Sequence, residues 1–154
     1  MTDQNPFAAS DRDRRAIWEI LVRRDSDFFL SGNWSLVEGD YLDEGFLGID
    51  AGGNSDASRW TIGFPTLAAY RQAALDSRLN QADFAEDLRT AWFRCQSLEK
   101  IDIGGDIGLA HKTIEGSIRR TTGPALELSW RSLFFMRRIQ AGWKICGFVG
   151  YLPL

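Results

Sequence analysis

The chain is predicted to be an α+β domain in which helices pack on one curved antiparallel sheet and enclose a mostly apolar pocket. Three observations carry that prediction. Apolar residues recur at helical spacing through the first half, they alternate at strand spacing through the second, and Phe, Trp and Tyr make up 12% of the chain. Helices followed by a run of strands indicate an α+β arrangement. Aromatic side chains line ligand cavities as readily as they fill cores, so their excess argues for a pocket.

The elements follow in order. Ser10 and Asp13 provide a capping pattern for a first helix, with a carboxylate near the unpaired N–H groups of the opening turn. Residues 1–9 are expected to be a flexible N-terminus, and residues 10–154 a single domain. Ile17, Leu21, Arg24 and Phe28 share a helical face with Ile20 beside them, and the helix ends near Gly32. Asn33 caps a second helix in which Trp34, Val37 and Tyr41 lie together. Residues 45–50 read as a short strand, and residues 51–58, rich in Gly, Asn, Ser and Asp, as a loop. Pro65-Thr66 opens a third helix carrying Leu67, Tyr70, Ala74 and Leu75. Asp83 and Glu86 cap a short fourth, with Phe84, Leu88, Ala91 and Trp92 on one side.

The remainder is a strand meander. Residues 98–103 turn at Gly104-Gly105 into residues 107–119, then 126–138, then 143–151, across loops rich in Gly. In the strand from 107, apolar residues begin at odd positions, Ile107 and Leu109, and end at even ones, Ile114 and Ile118. Strict alternation cannot change phase without an extra residue, so a β-bulge is expected between His111 and Thr113. A bulge bends the sheet, and a bent sheet can wrap a cavity that helices close.

Composition excludes several classes of partner. The net charge is −3 and the basic residues are interleaved with acids, which argues against nucleic acid. The arginines at 12–15 and 23–24, beside Asp11, Asp13, Glu19 and Asp25, read as a solvated helix face. Cys95 and Cys146 stand in no metal-ligand spacing and read as reduced, packed thiols of a cytoplasmic protein. With one His and no paired-Cys motif, no metal is expected. Residues 1–6 lack the features of a signal peptide, and no apolar run approaches the ~20 residues that cross a bilayer, so no membrane partner is expected. No phosphate loop, dinucleotide fingerprint or hydrolase elbow occurs, and no cofactor is expected.

The order helix, helix, short strand, helix, meander resembles the nuclear-transport-factor-two-like superfamily, in its SnoaL-like branch, a cystatin-like architecture. The likeness rests on Asn33-Trp34-Ser35-Leu36-Val37-Glu38, Phe46-Leu47-Gly48-Ile49-Asp50, residues 105–112 and residues 143–148. It implies a cone-shaped pocket and a homodimer formed through the open face of the sheet. The superfamily includes polyketide cyclases, ketosteroid isomerases, dehydratases and epoxide hydrolases, so fold alone does not set the chemistry.

Against that background, each candidate has a plain alternative. His111 is the single histidine, shares parity with Ile107 and Leu109, and is a candidate general base; otherwise it is a structural or exposed histidine. Asp50 stands near the place where isomerases of the superfamily carry a base. Its alternative is a turn residue bonded to the backbone of residues 51–53. Tyr41 and Tyr70 are candidate pocket hydroxyls able to donate to an oxyanion, or core residues with hydroxyls at the rim. Trp60 and Trp130 are candidate pocket walls alongside Trp34 and Trp92, and Trp130 shares parity with Leu126 and Leu128. Residues 133–136 are apolar on both strand faces and call for cover, with a second subunit the economical source. Three functions fit: a domain binding a small apolar or aromatic ligand, a cofactor-free isomerase, cyclase or dehydratase, or a structural dimer whose pocket is filled by its own side chains.

Overall fold

The computed structural model describes residues 3–154. Helix α1 (Arg12–Trp18) begins at Asp11, whose carboxylate accepts the Arg14 N–H at 3.2 Å; Ser10 lies one residue outside the cap. The helix continues through a π-helical stretch, Glu19–Arg24, into α2 (Asp25–Ser31). The wide turn sends the Asp25 N–H back to Ile20 O and buries Ile20, Leu21 and Val22 in succession, more than one α-helical stripe delivers. Gly32 closes α2 at φ 75, a conformation glycine adopts without a Cβ penalty, and returns its N–H to Phe28 O at 2.7 Å. Of the segment expected to be flexible, residues 3–9 lie along this helix and residues 1–2 are outside the described residues. Asn5 Nδ2 donates to Arg15 O and Glu19 Oε1, and Arg15 donates to Phe7 O at 2.7 Å.

The expected second helix does not form. Asn33 caps as anticipated, accepting the Ser35 N–H at 3.2 Å, but only two 3-10 turns follow, Trp34–Leu36 and Glu38–Asp40. Ser35, Gly39 and Asp40 all favour turns over helix interiors, and this stretch has too few helix formers to outweigh them. Trp34, Val37 and Tyr41 are nevertheless buried, and Arg24 holds Asp40 through two bonds of 2.8 Å. Helix α3 (Leu67–Asp76) is capped by Thr66. Helix α4 (Leu88–Arg94) is capped by Asp87 rather than by Asp83 or Glu86. Asp83 ends a separate 3-10 turn, and Glu86 accepts the Arg119 N–H at 2.8 Å. Among the described residues, no helix is long and apolar enough to cross a membrane.

Six strands form one sheet in the order β2-β1-β6-β5-β4-β3. The meander β3 (Gln96–Gly104), β4 (Ile107–Ile118), β5 (Leu126–Ile139) and β6 (Gly142–Leu152) is antiparallel as expected. The sheet as a whole is mixed, because β1 (Leu47–Asp50) pairs parallel with β6. No hairpin fixes the direction of a short strand whose partner lies at the other end of the chain, so its sequence does not declare it. The edge strand β2 (Thr61–Phe64) was not anticipated, since its exposed residues carry no alternation.

The bulge lies in the neighbouring strand. Strand β4 pairs with β5 without interruption from Ile107↔Arg137 to Ile118↔Leu126. Its register with β3 slips instead, so that Leu98 and Glu99 stand opposite Lys112 alone. All inward positions of β4 are even: Gly108, Ala110, Lys112, Ile114 and Ile118 are buried. The apparent phase change came from small residues inside. A Cβ on Gly108 would already stand 3.3–3.4 Å from Met136, Ile17 and Trp143, so the inner face there has little room for anything larger.

The main core fills the space between α1, α2 and the sheet, with Trp18, Leu21, Phe28, Leu98, Ile101 and Met136 at its centre. Each such buried side chain contributes about 1.5–3 kcal/mol. A second cluster packs Leu88, Ala91 and Trp92 of α4 on Ile114, Ile118 and Leu128. A third gathers Ala51, Val149 and Leu152 with Trp60 and Leu133. Leu133 has odd parity on β5, opposite to the inward-facing Leu128 and Met136, so this cluster covers the outer face of the sheet.

Candidate ligand-binding cavity

A cavity of about 350 Å³ opens between the helices and the inner face of the sheet. Asp25, Phe28 and Phe29 of α2, Tyr70 and Ala74 of α3, and Trp92 of α4 roof it. Lys112 and Ile114 of β4 and the even positions Leu128, Trp130, Ser132 and Phe134 of β5 form the floor, with Phe148 and Tyr151 of β6 at one side. The period-two alternation of β5 makes this possible: one face carries most of the lining, while Ser129 and Arg131 point away.

One wall is continuous aromatic surface. Tyr70 meets Phe148 at 5.0 Å and Phe64 at 5.5 Å between ring centroids, and Phe148 meets Phe134 at 5.7 Å. Tyr41 stands one layer behind, 5.8 Å from Tyr70 and stacked on Trp34 at 5.4 Å. Burial pushes both phenols above their ordinary value, and the carboxylate of Asp25 adds to the effect on each. The Tyr151 phenol is raised by burial, then by Asp50 and Asp25. At neutral pH these hydroxyls are neutral donors.

The polar centre of the cavity is a pair that spacing did not single out. Lys112 is 4% exposed, and its Nζ donates to Leu21 O at 2.6 Å and to Asp25 Oδ2 at 3.1 Å. The π-helical stretch contributes directly, because the Asp25 N–H bonds to Ile20 O and the Leu21 carbonyl receives the lysine. Burying an ammonium in an apolar wall is tolerable only with such partners. A signal was present: Lys112 shares even parity with Ile114 and Ile118, and Asp25 stands three residues before Phe28. Reading Asp25 as part of a solvated face was the error.

Of the expected pocket residues, Tyr70 and Trp130 line the cavity and Tyr41 supports it from behind. Trp60 does not line it. Its ring packs on the outer face of the sheet and its Nε1 donates to Asn54 O at 2.8 Å, because the loop of residues 51–58 folds across that face. His111 also points outward. It shares odd parity with the exposed Ile107, and its Nε2 lies 3.1 Å from Asp102 Oδ2 on β3. Asp50 is occupied as a turn residue, Oδ1 accepting the Gly52 N–H at 2.7 Å. It borders a shallow depression that shares Phe64, Trp130 and Tyr151 with the cavity, so the two candidate catalytic residues do not converge. Among the described residues, no three His, Cys, Asp or Glu side chains are placed to hold a metal ion.

No family model matches the sequence, and no curated protein matches it. Solved structures do. The chain superposes on an NTF2-like protein of unknown function from Methylobacillus flagellatus with a TM-score of 0.59 at 13% identity, covering 98% of each chain. An NTF2-like protein of unknown function from Shewanella baltica gives 0.58 at 11% identity over 94% of this chain and 96% of that one. An NTF2-like protein with a cystatin-like fold from Novosphingobium aromaticivorans gives 0.57 at 18% identity over 93% and 82%. The chain has the NTF2-like fold. In this NTF2-like fold the cavity sits between the helices and the inner face of the sheet, and its polar groups include Lys112, Asp25, Ser132, Tyr70 and Tyr151.

Proposed function

We propose that this NTF2-like domain binds a small apolar or aromatic molecule in the cavity. The observation that carries the reading is the lining itself: about 350 Å³ walled by Phe28, Phe29, Trp92, Trp130, Phe134 and Phe148, with few polar groups among them. The resemblance of residues 33–38 and 105–112 to the SnoaL-like branch supports it. Separately, the unpaired state of Cys95 and Cys146 suits a reducing, cytoplasmic setting. Acid–base catalysis by His111 and Asp50 is not part of the proposal, since neither side chain reaches the cavity.

Naphthalene is a suitable neutral probe. Calorimetric titration is expected to give saturable one-to-one binding to the wild type and none to Ala73→Trp, whose indole would extend from α3 into the same space. Absence of saturable binding to the wild type, or unchanged binding to the filled variant, rejects the proposal.

A second copy of the chain is the partner we propose for the outer face. The loop bearing Trp60 covers Leu133, which accounts for part of the apolar stretch at 133–136. Phe135 stays 40% exposed beside its cross-strand neighbour Leu109, and Ile107 is 70% exposed. This patch is what a symmetric partner would cover.

A further inference from the structure

We infer that the Lys112–Asp25 pair is a recognition site for the hydroxyl group of a neutral, phenol-like ligand. The inference rests on the cavity reading above and adds the polar group that the ligand must carry. An ammonium has three N–H donors, and Lys112 uses two, on Leu21 O and Asp25 Oδ2. The third has no protein acceptor among the described residues. Asp25 accepts through Oδ2, while its Oδ1 is likewise without a partner among them. Both side chains line the cavity.

The pair therefore offers one donor and one acceptor side by side within apolar walls. A hydroxyl oxygen satisfies both at once, accepting from Lys112 and donating to Asp25. A hydrocarbon leaves both unmet. An ether accepts but cannot donate. A carboxylate is attracted by Lys112 but meets the negative charge of Asp25, and it must lose its hydration among the rings of Phe28, Trp92 and Phe134. The neighbourhood adds no second cation: Lys112 is the basic residue of the lining, whereas Glu127 joins Asp25 on the acidic side. The tyrosines stay protonated, so they add dipoles rather than charge.

Lys112 is held in this role from two directions. The Leu21 carbonyl, within the π-helical stretch, accepts from the ammonium, and the bulge in β3 stands directly opposite Lys112 in the sheet. Both irregularities meet at one side chain, as irregular turns and bulges commonly do at binding sites.

The test titrates the wild type calorimetrically with naphthalene, 2-naphthol, 2-methoxynaphthalene and 2-naphthoate, which share one ring system. The expected order places 2-naphthol roughly tenfold tighter than naphthalene, the gain of one charge-assisted hydrogen-bond set. The methoxy compound should fall between them and naphthoate should bind weakest. Lys112→Met and Asp25→Asn should each remove most of the naphthol advantage, read as the ratio of naphthol to naphthalene affinity within the same variant. Equal affinity for naphthol and naphthalene in the wild type overturns the inference while leaving the cavity reading intact, and tighter binding of naphthoate than of naphthol does the same. If none of the four binds, the cavity reading falls and this inference with it. The wild-type comparison decides even if a variant fails to fold.

Discussion

Gly116 shows how a single backbone position constrains this fold. It sits on β4 at φ 150, and a Cβ built there would lie 2.6 Å from Cys95 Sγ. Gly116→Ala should therefore lower stability by about 2 kcal/mol, combining backbone strain with overpacking. Urea unfolding measures it, and a second substitution separates the causes: in a Cys95→Ala background the contact disappears and the strain remains. An unchanged urea midpoint would contradict the account. Lys112 teaches a different lesson at the same scale. Its parity with Ile114 was readable, but its acceptors come from positions 21 and 25, about ninety residues earlier, and no local pattern joins them. Trp60 illustrates the converse, because an aromatic residue in a polar loop has no periodicity to declare which face of a sheet it will cover.

At the scale of elements, the meander was legible nearly residue by residue, since long alternating strands and Gly-containing turns are local signals. The helices were legible where caps and spacing agreed. Residues 33–41 were not, because buried Trp34, Val37 and Tyr41 satisfy helical spacing while the intervening Gly39 and Asp40 favour turns. Glu86 ties elements together, accepting the Arg119 N–H beyond the end of β4 and pairing with Arg94 of α4 at 2.9 Å. These bonds, the Arg119 N–H first and Arg94 second, hold its carboxyl below the ordinary 4.5. The sign follows from linkage. A carboxyl depressed in the fold adds stability above its unfolded value, and that contribution is lost as pH falls through the folded value. Glu86→Gln should accordingly lose less stability than the parent between about pH 5 and pH 3, measured by thermal melts across that range. Parallel losses in the two proteins would show that Glu86 does not carry the linkage.

For the whole molecule, the exposed Ile107 and Phe135, with the half-buried Leu109 beside them, bear on assembly. Phe135→Asp should leave the inner core intact, since the side chain points away from it, and should convert a dimer into a 17.4 kDa monomer by light scattering. A wild type that is already monomeric at micromolar concentration removes the proposed interface. By itself the sequence determined the fold class, the meander and the aromatic character of the interior, because these follow from periodicity and composition that any short window displays. Only the tertiary structure decided that β1 runs parallel to β6, that His111 and Trp60 lie outside the cavity, and that Lys112 meets Asp25 within it. Those outcomes depend on how distant segments are brought together, and a face chosen by packing is not written in the spacing of the residues that occupy it.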